Sequence, residues 1–247
     1  MAVDGYDDAR LVALYDEFNA GTWDTDFYVG ALPGESLRIA DIGCGTGSFA
    51  LRLARAGHTM TGVDPARRML DVARAKDDAG LVRWVHGTAR DLPEEPFDAA
   101  VMTGHAFQCL LTDHAVLETL TEIRRRLVPG GRFLFETRNP AREPWKAWQS
   151  PDGPDHLESS AGPLKTSWEL IEVQGDLVTF EGHTRFERDG TDVTDTSTLR
   201  FLPADRLGEL LDMAGYGEIA WCGNWDGSPF DPVTSAEIIV CAQNPGA

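Results

Sequence analysis

Ile39-Ala40-Asp41-Ile42-Gly43-Cys44-Gly45-Thr46-Gly47-Ser48-Phe49 decides how the chain is read. Its first four residues are a short apolar run with one acid, which suits a buried strand. The glycines form a turn, and the apolar positions Leu51, Leu53 and Ala54 continue at helical spacing. Glycine at 43, 45 and 47 leaves no β-carbons on the inside of that turn, so a ligand can lie against bare backbone amides at a helix N-terminus. A strand, a glycine turn and a helix in this order predict a cofactor site.

Outward from this stretch the pattern repeats. Strands are expected at Leu37–Ile42, Met60–Val63, Leu81–Val85, Ala99–Met102 and Arg132–Glu136, with helices at 47–56, 66–76 and 112–127 between them. Strand and helix alternating in this way predict a doubly wound, mostly parallel sheet with right-handed crossovers, and ligands at the carboxyl ends of its strands. Ahead of it, Leu11, Leu14, Tyr15 and Phe18 mark an amphipathic helix in 7–20, and a second short helix runs from Asp24 to Leu32, stopped by Pro33-Gly34.

After Asn139 the pattern breaks. Pro140, Pro144, Pro151, Pro154 and Pro163, with Trp145 and Trp148 among them, predict an irregular excursion. Thr166–Gln174, Leu177–Arg188 and Asp192–Leu202 then read as three antiparallel strands. A helix at 204–214 and two strands, Gly217–Trp221 and Ala236–Cys241, close the chain and are expected to pair antiparallel. The expected organisation is an N-terminal helical cap (1–36), a core (37–139 and 203–247) and an antiparallel insertion acting as a substrate lid (140–202). Trp145 and Trp148 are candidates for that lid, whereas Phe180 and Phe186 suit its core.

Composition narrows the partners. Across 247 residues, 22 Lys and Arg face 40 Asp and Glu, a net charge of −18 that opposes phosphate backbones and anionic lipids. Neither a nucleic-acid nor a membrane partner is expected; a small-molecule acceptor is, and a homodimer stays open. The N-terminal residues show no signal-peptide pattern, which sets the expectation of a cytoplasmic protein. Cys44, Cys109, Cys222 and Cys241 show neither CxxC spacing nor a disulfide framework, and the histidines form no metal-ligand cluster, so no metal is expected.

The glycine turn is not a P-loop, since Ser48-Phe49 stands where lysine would be needed. A dinucleotide fingerprint wants glycine at 48, where this chain has serine, which weakens an NAD-dependent oxidoreductase without removing it. Asp64 ends the second strand 21 residues after Gly43, where a carboxylate can accept hydrogen bonds from both hydroxyls of a ribose; it is also placed to cap a helix ahead of Pro65.

Asp41-Ile-Gly-Cys-Gly-Thr-Gly47, Gly62-Val-Asp64 and Leu127-Val-Pro-Gly-Gly-Arg-Phe133 together resemble the first, second and late motifs of class I S-adenosylmethionine-dependent methyltransferases. The likeness covers residues 37–138 closely and the closing strands loosely. It implies a seven-stranded Rossmann-like sheet and S-adenosylmethionine as cofactor. Asp41, Gly43 and Gly45 would hold its methionine end, Asp64 and Pro65 its ribose, and Met69, Thr88, Ala89 and Arg90 its adenine, with Thr103 beside it. Where many members carry Asp, this chain has Thr88, whose hydroxyl could accept one hydrogen bond. Tyr15 resembles a tyrosine that closes over the cofactor in related small-molecule enzymes, and taken alone is one apolar-face residue of a helix.

His105, after Met102-Thr103-Gly104, resembles a histidine that deprotonates or orients the acceptor in several N- and O-methyltransferases. An unperturbed histidine titrates near about pH 6.5 and can serve as a base, though a loop histidine can equally be structural. Glu136, Arg138 and Asn139, at the mouth of the fifth strand, are candidates for polar substrate contacts. The expected activity is methyl transfer to N or O of a small molecule, a secondary metabolite or modified sugar. The alternative is a cofactor-binding protein of the same fold that binds a ligand or catalyses a rearrangement without methyl transfer.

Overall fold

The computed structural model describes residues 5–32, 34–150 and 153–246. Met1–Asp4, Pro33 as a helix stop and Pro151 in the excursion lie outside them. The central sheet is built from β1 (Arg38–Ile42), β2 (Thr59–Asp64), β3 (Val82–His86), β4 (Phe97–Met102), β5 (Leu127–Arg138), β10 (Gly217–Cys222) and β11 (Glu237–Gln243), in the order β10-β11-β5-β4-β1-β2-β3. The β1–β2, β2–β3, β1–β4 and β4–β5 pairs are parallel; β11 runs antiparallel to both β5 and β10. The strand order reverses at the β1/β4 pair, which opens a crevice at their carboxyl ends.

Alternation along the strands feeds two cores, one on each face. Phe133 and Phe135 pack with Ile42, Met102, α5 (Asp113–Arg126) and α6 (Ala204–Ala214), whereas Leu134 faces the other way with Ile39, Met60 and Val101. On that second face lie Phe49, Leu51 and Leu53 of α3 (Ser48–Arg55) and Tyr28 of α2 (Trp23–Ala31). Near-continuous apolar runs in β1, β2 and β4 are what a sheet covered on both faces requires. α4 (Arg67–Lys76) packs beside β2 and β3.

The insertion is antiparallel, with four strands where three are expected: β6 (Asp155–Ser159), β7 (Gly162–Gln174), β8 (Leu177–Phe186) and β9 (Thr191–Arg200). Strand β6, Asp-His-Leu-Glu-Ser, is exposed at all but its last residue, so no apolar alternation marks it within the proline-rich stretch. Two short 3₁₀ turns, Pro140–Arg142 and Pro144–Ala147, replace the irregular chain before it. Trp145 is buried against Phe201, with ring centroids 4.7 Å apart, and Trp148 meets Phe180 at 5.3 Å.

Helix α1 (Ala9–Phe18) joins the inserted sheet to the core. Its Leu14 is buried among Leu164, Phe186 and Val193. Arg10 pairs with Asp189 at 2.8 Å, and Glu17 accepts from the Ser160 amide at 3.0 Å. One residue before Glu17, Asp16 accepts from the Thr46 and Ser48 hydroxyls at 2.5 and 3.1 Å and from Lys76 at 2.6 Å, which ties the same helix to the glycine turn.

Candidate functional site

The glycine turn adopts the left-handed backbone that its sequence suggests, with φ of 69°, 54° and 75° at Gly43, Gly45 and Gly47. A β-carbon at Gly47 would lie 2.3 Å from the Trp84 ring, so this glycine lets the turn close on β3. One at Gly45 would meet nothing within 4 Å, leaving open space in front of the turn where a ligand can reach the backbone. The Gly43 and Cys44 amides both donate to the Val63 carbonyl, at 2.8 and 3.1 Å, which holds the turn against the end of β2.

Asp64 braces the turn from the other side. One of its oxygens accepts from the Gly45 amide and the other from the Ala66 amide, each at 2.8 Å. Each carboxylate oxygen can accept a further bond, so the carboxylate both shapes the loop and can receive hydroxyls.

Asp41 is different. It is buried at the end of β1, and neither of its oxygens has a hydrogen-bond partner among the described residues. Burial, helped by the charges of Asp64 and Glu136, pushes its carboxyl up to about 7. A buried carboxylate without a partner is costly, and a cationic ligand group would supply one.

The other predicted cofactor contacts are distributed as follows. Met69 and Ala89 are buried beside the ends of β2 and β3. Thr88 is exposed; its amide donates to Asp91 at 2.8 Å, and its hydroxyl lies 3.4 Å from the same oxygen, fixing the 88–91 turn. The Arg90 side chain turns outward to pair with Glu118 at 2.9 Å, and its carbonyl accepts from Arg126, so no contact from its guanidinium is available to the site. Pro65 is exposed, and its carbonyl is bonded to His86 at 3.0 Å. Thr103 is half-buried in the turn after β4. The Tyr15 phenol is raised in pKa by burial first and then by the charge of Asp64. Its ring meets Tyr6 edge-on at 6.3 Å.

Beyond Thr103 a second cluster forms around His105, which has a φ of 59°. Its amide donates to Glu136 at 2.6 Å, its Nε2 lies 2.9 Å from Glu237, and its Nδ1 lies 4.0 Å from Glu136. The Tyr28 hydroxyl donates to the second oxygen of Glu136. Both Tyr28 and Glu136 are fully buried, and burial raises both groups above their ordinary values. Sequence reasoning placed Glu136 at this mouth but singled out neither Tyr28, one aromatic of the short helix from Asp24 to Leu32, nor Glu237, which opens the last strand. Of the other two β5 candidates, Arg138 is half-buried, and Asn139 turns to the Pro232 and Ser235 carbonyls at 3.1 and 2.9 Å, where it braces a loop.

Among the described residues no group of three or more His, Cys, Asp or Glu could hold a metal, and no helix is long and apolar enough to cross a membrane. A shallow apolar groove between α1 and the inserted sheet, lined by Ala13, Leu14, Ala161 and Phe186, shares no residue with the glycine turn.

Residues 39–131 match the family description of a methyltransferase domain. A solved S-adenosylmethionine-dependent methyltransferase from Clostridium acetobutylicum ATCC 824 superposes with a TM-score of 0.77, covering 96% of this chain and 98% of its own, at 16% identity. The chain has the class I S-adenosylmethionine-dependent methyltransferase fold. Another structure of this fold, the S-adenosylmethionine-bound amino pentose methyltransferase CalS10 from Micromonospora echinaspora, superposes at 0.69, covering 94% and 95% at 20% identity. Among curated relatives, the malonyl-[acyl-carrier protein] O-methyltransferase of Erwinia pyrifoliae is 35% identical over 123 residues, 48% of this chain and 45% of its own. The match spans about half the length of the curated relatives. The methyltransferase-domain residues therefore carry the sequence likeness, and the insertion is shared at the level of fold.

Proposed function

We propose that this protein transfers the methyl group of S-adenosylmethionine to a nitrogen of a small-molecule amine. The observation that carries this reading is Asp41, a buried acid with no partner, facing a glycine turn with open space in front of it. A methionine ammonium fits that carboxylate, ribose hydroxyls fit Asp64, and Met69 and Ala89 offer an apolar seat for a base. The cofactor, when bound, supplies an already activated methyl group, so the protein's main task is alignment of the acceptor.

For the acceptor, Glu136 and Glu237 place two carboxylates around His105, which favours an amine over a neutral hydroxyl. With Nε2–H donated to Glu237, Nδ1 carries the lone pair and can take the proton that a nitrogen acceptor releases. The imidazolium then faces Glu136 through Nδ1–H. Tyr15, whose ring meets Tyr6 edge-on and whose phenol feels the charge of Asp64, is the residue of the N-terminal segment suited to cover the bound cofactor. The amino pentose specificity of CalS10, a structural neighbour, is consistent with an amino acceptor.

Titration with S-adenosylmethionine and S-adenosylhomocysteine, followed by assay of S-adenosylhomocysteine release with amine and hydroxyl acceptors, tests the proposal. No measurable binding of either would overturn it, and turnover of hydroxyl acceptors alone would overturn the nitrogen assignment. Asp64→Ala should weaken S-adenosylhomocysteine binding by about 10- to 100-fold, the loss of about 1.4–2.8 kcal/mol in charge-assisted hydrogen bonds. Because Asp64 also holds the Gly45 amide, Asp64→Asn is the sharper comparison: it retains one acceptor oxygen and should fall between the two proteins.

Asp16→Ala cuts α1 from Thr46, Ser48 and Lys76 while leaving its apolar anchor Leu14 in place. These bonds are partly exposed, so global stability should change little. Cofactor dissociation measured by stopped flow should speed up by about 3- to 10-fold, corresponding to roughly 1 kcal/mol of lost closure. An unchanged off-rate would show that α1 does not gate the crevice.

A further inference from the structure

Arg138 ends β5 two residues after Glu136, so both side chains rise from the same face of the strand, about 7 Å apart along it. In register it stands opposite Glu237 of β11. Its guanidinium is held on two sides. Gln108 accepts from Nη1 at 2.8 Å, and Gln108 is itself fully buried and fixed by donating its own amide to the Arg200 carbonyl at 3.1 Å. The Trp148 ring lies 5.0 Å beneath the guanidinium carbon and sets its plane.

None of these partners is charged. Among the described residues Arg138 makes no ion pair, while the nearby Arg200 is paired with both Asp113 and Asp176 at 2.7 Å. Burial lowers the pKa of Arg138, with Glu237, Glu136 and Tyr6 opposing from the surrounding crevice. A guanidinium has five N–H donors in a planar fork, and among the described residues one of them is taken. A half-buried arginine with one neutral partner among the described residues keeps a spare edge of its fork, and that edge suits a planar or tetrahedral anion.

We propose that Arg138 anchors an acidic group of the acceptor, a carboxylate or a phosphate, so that the acceptor carries its nucleophilic amine at the His105–Glu136 side and an anion toward Arg138. This rests on the methyl-transfer reading and makes it specific: the acceptor is dipolar, its amine for the carboxylates around His105 and its anion for the guanidinium beside them. Trp148 gives the excursion after β5 a part in the same site, since its ring supports the anchor while also packing on Phe180 of the inserted sheet. The insertion thereby sets the position of the specificity residue.

The test uses the full chain loaded with S-adenosylhomocysteine and three probes of matched length: 5-aminopentanoate, 3-aminopropyl phosphate and the neutral 5-aminopentanamide. Calorimetric titration should show at least one acid binding 10-fold or more tighter than the amide, and the tighter of the two identifies carboxylate or phosphate. In Arg138→Gln that preference should shrink to within about threefold, with S-adenosylhomocysteine affinity unchanged as the measure of an intact cofactor half. Arg138→Lys, which keeps the charge but loses the fork, should retain an intermediate preference. Equal binding of all three probes to the wild-type protein, or a preference that survives in Arg138→Gln, would overturn the assignment of Arg138 alone. Failure of the wild-type protein to bind S-adenosylhomocysteine would overturn the methyl-transfer reading and this assignment with it.

Discussion

Asp41→Asn is expected to stabilise the ligand-free protein at pH 8 by about 2–4 kcal/mol and, in the same protein, to weaken S-adenosylhomocysteine binding by about 10- to 100-fold. The stability change follows from where the carboxyl titrates. Its folded-state value is about 7, above the ordinary 3.8, so the folded protein holds a proton that the unfolded chain releases. Asp41 therefore costs nothing below about pH 4, and stability is lost as pH rises toward and through 7, where the carboxylate must ionise inside the fold. At about 1.4 kcal/mol per unit, a shift of about three units sets the upper figure. Asparagine has the same shape and no such titration. The gap between the two proteins in denaturant melts should open above about pH 4 and reach its full size above about pH 7.

The binding change has the opposite sign because the ligand's ammonium needs the charge. At pH 7 about half of the free wild-type protein carries a protonated Asp41, and binding a cation expels that proton. Affinity for S-adenosylhomocysteine should tighten up to about tenfold per unit between pH 5 and 7 and then level off; in Asp41→Asn it should be flat across the same range. Calorimetry in buffers of different ionisation enthalpy should report about half a proton released at pH 7 by the wild type and none by the variant. A wild-type affinity independent of pH would place the ammonium elsewhere.

How legible these features were in the sequence depends on how local they are. Asp41, the glycine turn and Asp64 lie on consecutive strand ends, and the side-chain types there are dictated by a backbone that must approach a ligand. The doubly wound sheet was legible for a similar reason, since strands covered on both faces must be apolar along their length. Strand β6 was not, because five mostly exposed residues, four of them polar, carry no period; its pairing with β7 forms it. Tyr28 carries no local signal beyond its place in a short helix, and only the fold reveals that its hydroxyl meets an acid 108 residues away. The bond from His105 to Glu237 spans 132 residues. Arg90 entered the reading through its backbone amide, and its side chain plays no part there, since Glu118 on α5 draws it outward.

Glu136→Gln is expected to lower kcat by about 10- to 100-fold while leaving the affinity for S-adenosylhomocysteine within about threefold of wild type. Glu136 is the junction of the second cluster: Tyr28 and the His105 amide donate to its two oxygens, and its burial leaves no water to replace either. Glutamine fills the same space. Its carbonyl can still accept from the His105 amide, and its NH₂ can donate to a reversed Tyr28 hydroxyl, so the left-handed turn at His105 should survive. What disappears is the negative charge 4.0 Å from Nδ1 of His105, the charge that favours an imidazolium once the acceptor gives up its proton. The loss therefore falls on the reacting complex, and kcat should drop more than KM rises. Tyr28→Phe keeps the charge and removes only one donor, so its effect on kcat should stay within about tenfold. Glu136→Ala removes the junction itself and leaves two buried donors without partners, which should cost about 2–4 kcal/mol of stability in denaturant melts. If Glu136→Gln turned over at the wild-type rate, the carboxylate would be a fastener for the turn at His105, and proton acceptance at Nδ1 would not depend on its charge.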